Sequence, residues 1–584
     1  MSIGGNWQRG GFDRRQFLGW AGASTGAIAL AANGIESQAL ARPTFPSYPF
    51  TLGVASGDPL PDGVVLWTRL APKPLEGGGM PDRKVRVRWE VARDERFRQV
   101  VRRGSAIARP DFAHSVHVDV DGLRPRREYF YRFKAGSEIS PVGRTKTAPA
   151  RDSSPRSLAF AFVSCQAYQD GFYTAYRHLA EEDLDLVLHL GDYIYEGGVS
   201  AGAVRPHEGP EPTDLGAYRN RHARYRSDRD LQAAHAAFPF TVTWDDHEVE
   251  NNYADGFPQD EAARPDEQET PEFFLPRRAA AYRAYYEHMP LRRRQLPRGP
   301  NMRLYRRLTY GDMAQFSVLD TRQYRDNQVC DPENEPGREV PCADSRDPDR
   351  SLPGFQQEGW LEDNLRRSRS RWNVVAQQVF MAQRDFDPGP GEQFSMDAWD
   401  GYVASRDRLL SFVERRRIRN PVVLTGDVHA NWVNDLKSDF GDERSKTVGS
   451  ELVGTSISSG GDGADTRPDT AQILAENPHI KFFNGQRGYV RCRLSRKRWV
   501  SDFRVVSFVK RPGAPISTRA RFVIENGRPG AERVSWAAPR AEAARRKVAG
   551  ATRGLRCCSA ARPLSWPPCA PPASLRNRDR ACPR

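Results

Sequence analysis

The chain has 584 residues, 38% of them apolar and twelve of them tryptophan; it is too long for one ordinary domain and can bury sizeable cores. Its formal net charge is +14, but residues 541–584 carry +8 of that and residues 1–41 carry +1, leaving about +5 for everything between. So localised a surplus excludes a nucleic-acid groove as the organising feature, and no specific nucleic-acid binding is expected.

In chain order, residues 1–41 come first. Asp13-Arg14-Arg15-Gln16-Phe17-Leu18 precedes a weakly apolar stretch, GWAGASTGAIALAA, and Ala39-Leu40-Ala41 stands before Arg42-Pro43. A twin arginine, a modest apolar run and a small-x-small site predict a Tat export signal. The stretch is too short and too rich in Gly and Ala to span a bilayer, so no transmembrane anchor is expected. The Tat translocase becomes an expected partner, and the destination is periplasmic or extracellular. Tat cargo is folded before it crosses and often takes up a metal first.

Residues 46–148 read as all-β. VRVRWEVA (85–92), VHVDVD (116–121) and YFYRFKA (129–135) alternate with period two between turn residues. The run DGLRPRREYFYRF resembles a fibronectin-type sandwich strand with a tyrosine near a corner. From 155 to 535 the pattern changes. LAFAFV, LDLVLHL, FPFTVTW, QFSVLD, WNVVAQQVF and PVVLTG alternate with helix-like segments such as PEFFLPRRAAAYRAYYEHM, which indicates an α/β domain with buried strands. Residues 538–584 have no period and are heavy in Arg, Ala, Pro and Cys; a low-complexity, disordered tail is expected. Of the eight cysteines, Cys330 and Cys342 bracket a polar loop, CDPENEPGREVPC, and are expected to pair in an exported protein.

Four apolar runs end in metal-capable residues. LAFAFV stops at Ser164-Cys165-Gln166, and LDLVLHL at Gly191-Asp192-Tyr193-Ile194-Tyr195. FPFTVTW stops at Asp245-Asp246-His247-Glu248, and PVVLT at Gly426-Asp427-Val428-His429. Ligands of α/β sheets gather outside the carboxyl ends of strands, so four loaded endings can converge on one rim. Carboxylates with an imidazole, a phenol and a thiol make an anionic site. Tyrosinate and thiolate favour a ferric ion or a similarly strong Lewis acid over magnesium. A shared carboxylate can bridge two cations, a pairing suited to hydrolysis of phosphate esters, with a nearby His protonating the leaving alcohol.

The blocks GDYIYE, WDDHE and GDVHANW resemble the PhoD-type alkaline phosphatase/phosphodiesterase family of the calcineurin-like metallophosphatases, over roughly residues 46–535. The resemblance implies an α/β (α+β) metallophosphatase with a four-layer β-sandwich core flanked by helices, behind an N-terminal all-β sandwich. It implies Fe(3+) with Ca(2+) as cofactors. Asp192 would bridge two metals, and Tyr195, Cys165 and His429 would bind the iron. Asp246 and Asp427 would bind the second metal, and His247 would be the proton donor. Oxygen ligands at Asp192, Asp246 and Asp427 suit calcium. The substrate would be a phosphate mono- or diester.

Gaps remain beside the family pattern. No D-x-H is present, and Gln377 or Gln378 is a candidate for the middle ligand region. Asp245 is either a ligand or a support for one. Asn251 and Asn252 are candidates for metal or phosphate support, or for loop capping. Arg322 is either a phosphoryl grip or a structural ion pair. Trp399 and Tyr402 are pocket walls or core aromatics. His189, inside an apolar strand, reads as a core histidine, and His207, His222 and His235 carry no expected chemistry. The competing function is an exported glycan- or wall-polymer-binding protein with a degenerate metal site. Physiological substrate, calcium count and oligomeric state are not readable from these motifs.

Overall fold

A computed structural model describes residues 44–258, 270–330, 339–442 and 444–534. The predicted signal segment and the low-complexity tail lie outside the described residues. Two sheets stack face to face. In the first, ten strands run in the order Glu532–Arg533, Ile516–Glu525, Arg498–Val506, Gly488–Ser495, Ser157–Val163, Leu186–Leu190, Pro239–Thr243, Val54–Leu60, Gly63–Arg69 and Ser115–Val120. In the second, seven strands run Arg306–Tyr310, Ala314–Val318, Trp372–Ala376, Pro421–Thr425, Thr447–Val453, Asn431–Lys437 and Ile480–Asn484.

Each sheet has a parallel centre. In the first, Val187 lies opposite Ala161 on one side and Phe240 on the other. In the second, Val374 lies between Phe316 and Val422. These strands are buried along their whole length, which explains why they read as unbroken apolar runs. Successive side chains still take opposite faces. Phe160, Phe162, Leu186 and Leu188 join Phe316, Val374 and Leu424 in the core between the sheets. Ala161, Val163 and Val187 turn outward to Tyr176, Tyr218 and Tyr285, from the helices Thr174–Ala180, Leu215–Arg226 and Pro271–His288. On the far side, Val375 and Val423 meet Leu361 and Leu410 of the helices Phe355–Arg366 and Val403–Arg415. The result is a four-layer α/β sandwich, helices outside two sheets. Emptying its middle is costly: truncating the buried Leu188 to Ala removes about 2–5 kcal/mol.

The N-terminal all-β region is a sandwich with a shared wall. Val85–Ala92, Val100–Ala108, Glu128–Ala135, Glu138–Ile139 and Gly143–Lys146 form a separate five-stranded sheet. It packs, through Val87, Tyr131 and Phe133, on Val64, Leu66, Val116 and Val118. Those belong to strands of the ten-stranded sheet, to which Val54–Leu60 is joined by parallel pairing with Pro239–Thr243. Period-two alternation shows a strand which face to bury but not which neighbour to pair with, so it left a separate sandwich and a β-rich lobe of the next domain both open. Cys330 and Cys342 form a disulfide with Cα atoms 5.5 Å apart. No helix among the described residues is long and apolar enough to cross a membrane.

Candidate metal centre

The four loaded strand endings meet on one rim, at the carboxyl ends of both sheets' parallel strands. Two glycines permit the approach. A Cβ on Gly191 would stand 2.4 Å from Cβ of Asp245, and one on Gly426 would stand 2.7 Å from Oγ of Ser164. The chain then turns sharply. Cys165, Asp192, Asp427 and His429 all have φ between 53° and 63°, the left-handed region that costs a non-glycine residue about 1–2 kcal/mol. Left-handed backbone at four candidate ligands is the strain expected of a functional site held by its surroundings.

Three overlapping groups of ligand atoms lie within 4.8 Å of one another: Cys165, Asp192 and His429; Asp192, Asp246 and His247; and Asp245, Asp246 and Asp427. Asp192 belongs to the first two and Asp246 to the last two, the arrangement of shared carboxylates. The phenol of Tyr195 donates to Oδ2 of Asp192 at 2.7 Å and lies 2.9 Å from Nε2 of His429. Ser459 donates to the same phenol at 2.8 Å.

The fit to cations is tested by what the carboxylates lack. Oδ1 of Asp192, Oδ2 of Asp245 and Oδ1 of Asp246 are buried and have no hydrogen-bond partner. A buried acceptor without a donor costs on the order of 1–3 kcal/mol, more when charged. Three in one cluster match a site whose missing partners are cations. Without cations the acids cannot all ionise. Burial, with Asp246 next, pushes Asp192 well above the carboxylate range, and burial does the same to Asp245 against the pull of Arg322. Burial and Asp397 push Asp427 up to about 8. Burial also raises Asp246, but Arg322 and His247 outweigh it and hold that carboxyl below its ordinary value. The Cys165 thiol is pushed well up, first by burial and then by Asp192, and so is the Tyr195 phenol. A bound cation reverses this logic by favouring the ionised form of each ligand.

The two histidines differ. Burial and then Arg487 lower His429 to about 3, leaving a neutral imidazole with a lone pair to give. Burial lowers His247 too, but Glu196, Asp246 and Asp192 outweigh it and hold the imidazolium well above its usual range. Nδ1 of His247 meets Oε2 of Glu196 at 2.7 Å, and its ring lies over Tyr195 at 4.1 Å.

Other candidates fall outside the ligand set. Arg322 is fully buried; it donates through Nε to Asp245 and through both terminal nitrogens to Asp397. Its remaining reach is toward Asp246 at 3.6 Å and Asp427 at 3.8 Å, so it braces carboxylates and is no phosphoryl grip. Gln378 stands behind the site and not among the candidate ligands. Its carbonyl accepts from the amide and hydroxyl of Thr321, and its amide donates to Thr243 and Leu319, so its hydrogen-bonding capacity is spent on the loop that carries Arg322. Gln377 bonds Thr425 and Trp399. Asn252 contributes its backbone amide, which donates to Asp246 at 2.7 Å. Trp399 and Tyr402 are buried in the core, and His189, His207, His222 and His235 make no group with the ligands.

Several functional partners were missed. Glu248 accepts from the amides of Asp192, Tyr193 and Asp245, so one carboxylate pins two strand endings together. Glu196 orients His247, and its signal was its place directly after Tyr195 in GDYIYE. Asp397 holds Arg322 from within DAWDGY, where the aromatics drew attention instead. Ser459 had no signal of its own.

A two-sheet sandwich whose strand ends gather carboxylates, two histidines, a phenol and a thiol defines the class: a metallophosphatase-type fold with a candidate metal centre. The model of the PhoD-like phosphatase family matches residues 160–503, and that of the PhoD-like phosphatase N-terminal domain matches residues 36–149. The chain is 55% identical over 538 residues to alkaline phosphatase D of Bacillus subtilis (strain 168), covering 91% of this chain and 90% of that protein. A solved structure titled "Structure of PhoD" superposes with a TM-score of 0.81 at 56% identity, over 85% of this chain and 94% of that one. The chain belongs to the PhoD-like phosphatase family. It is a phosphoric ester hydrolase, and the competing account of a binding module with a degenerate site is set aside.

Proposed function

We propose that the chain is an exported phosphomono- and diesterase working with an iron–calcium centre, in which Cys165, Asp192, Tyr195 and His429 hold Fe(3+) and Asp192, Asp246 and Asp427 hold Ca(2+). The observation that carries this reading is the set of unpartnered buried oxygens on Asp192, Asp245 and Asp246. The mixed donors support two different cations: thiol, phenol and imidazole on one side suit a softer, stronger Lewis acid, while the all-carboxylate side suits a hard one. Bound there, the cations would neutralise phosphoryl oxygens and acidify a water for attack.

The chain's own residues do the rest. Glu196 fixes Nδ1 of His247, so the proton available to a leaving alcohol sits on Nε2. Glu196, which is no metal ligand in this reading, favours the charged form of His247. Arg322, clamped by Asp397, holds Asp245 in place and keeps a positive charge beside Asp246 and Asp427. Export rests on the Arg14-Arg15 signal, and the relative's name supports an alkaline phosphatase activity. The test is elemental analysis of the purified protein, joined to turnover of bis-p-nitrophenyl phosphate and p-nitrophenyl phosphate before and after chelation. Iron and calcium with chelator-sensitive turnover are expected. Full turnover by protein free of both metals ends the proposal.

A further inference from the structure

A second concave site lies at the opposite end of the seven-stranded sheet. It is a cleft of about 750 Å³ built from the amino ends of the strands Pro421–Thr425 and Thr447–Val453. The segment entering Trp372–Ala376, the turn after the helix Val403–Arg415 and the turn at Asn526-Gly527 complete it. The metal centre sits beyond the carboxyl ends of the same strands, so about 16 Å of five-residue strand separates the two. The cleft belongs to no part of the catalytic rim.

Its walls are basic. Arg369, Arg371, Arg417, Arg419, Lys446 and Arg496 line it against Asp312 and Glu414. Arg496 is satisfied by Asp312 at 2.8 Å, and Lys446 reaches Glu414 at 3.3 Å. Arg369, Arg371, Arg417 and Arg419 pair with no carboxylate among the described residues, and Nε of Arg371 is buried with no partner. Elsewhere some arginines that leave bulk water find acids, as Arg306 does on Asp58 and Arg491, Arg493 and Arg521 do on Asp502, while others such as Arg226 and Arg487 donate to carbonyl oxygens. With Asp312 and Glu414 engaged by Arg496 and Lys446, the four guanidinium groups that have no acid of their own repel one another and focus a positive potential into the cleft. Guanidinium geometry matches phosphate oxygens two at a time, and the volume lies within the range of small-molecule sites.

We infer that this cleft is a second anion site, which takes a compact, multiply charged phosphate-type anion away from the catalytic centre. The probe is sucrose octasulfate, whose sulfate esters imitate clustered phosphates and resist a phosphoesterase. Titrated calorimetrically into the metal-loaded enzyme, it is expected to bind once per chain and to weaken with added salt. The triple variant R369E/R417E/R419E, at exposed positions, is expected to lose at least tenfold in affinity. Its melting temperature and its turnover of bis-p-nitrophenyl phosphate are expected to match the parent's. R371M, which leaves the exposed charges in place, is expected to weaken binding by a smaller factor. Undiminished binding by the triple variant overturns the inference. So does displacement of the probe from the parent in step with occupancy of the catalytic centre by orthophosphate, since the probe would then sit at the metals. A parent without esterase activity would sink the iron–calcium reading and leave the binding result standing.

Discussion

Two buried acidic places in this protein look alike in sequence and differ in balance. Asp58 is 2% exposed and Asp192 is 1% exposed, and both have left-handed backbone. Asp58 is filled by one residue: Arg306 donates Nε to Oδ2 at 2.8 Å and Nη2 to Oδ1 at 2.8 Å. Asp192 shares its rim with Asp245, Asp246 and Asp427, and the nearby guanidinium, Arg322, is already divided between Asp245 and Asp397. One place is a finished ion pair that joins the N-terminal strands to the seven-stranded sheet. The other is unfinished: its four carboxylates face one guanidinium already divided and one imidazolium. Burial alone does not tell a structural acid from a functional one; the count of cations within reach does.

That contrast can be broken in graded steps. Asp192→Ala, which removes the shared carboxylate, should lower turnover by about 10⁴-fold or more and deplete both metals on elemental analysis. Retained activity would mean that the unfinished cluster is not the active one. Arg306→Met should do the reverse: it strands Asp58 as a lone buried charge and costs about 3–5 kcal/mol of stability in denaturant titration, while the folded fraction keeps its turnover. Glu196→Gln should cost about 10- to 100-fold in turnover and shift the alkaline limb of the rate profile downward, because His247 loses the carboxylate that orients and charges it. Metal content should not change.

The smallest effect is a pH slope. In chelated protein Asp427 titrates at about 8 against 3.8 for the free side chain, so between those values the folded state binds the extra proton. Stability is then greatest at the acid end and falls as pH rises through that window, by on the order of 1 kcal/mol per pH unit for each such group. Asp192 and Asp245 shift in the same direction. Melting curves of chelated and metal-loaded protein across pH 5 to 8 should diverge with rising pH; parallel curves would contradict the charge imbalance.

The four strand endings were legible because burial on both faces leaves apolar runs that stop abruptly at polar residues, and GD, DDHE and GDVH stand at those stops. The disulfide loop announced itself by composition. Less visible was whatever depends on a partner distant in sequence. Gln378 looked available because a glutamine after a strand carries no mark of being claimed by Thr321. Arg322 read as either an ion pair or a substrate grip because its acid, Asp397, stands 75 residues downstream in a motif that seemed aromatic. Glu248 reads as a fourth acid of the cluster, yet its work is to collect three backbone amides, a role with no pattern in one dimension. The N-terminal strands hid their attachment to the large sheet for the same reason.

Cys165 follows a strand of one sheet and His429 a strand of the other, so this group of candidate ligands straddles the seam between the two halves of the sandwich. A nascent chain still on the ribosome has Asp192 long before it has Asp427 and His429, and it cannot trap ions at the finished affinity until the second sheet has docked. On the proposed ligand set, ion uptake would report completed assembly, and a seated cation would rivet the halves together.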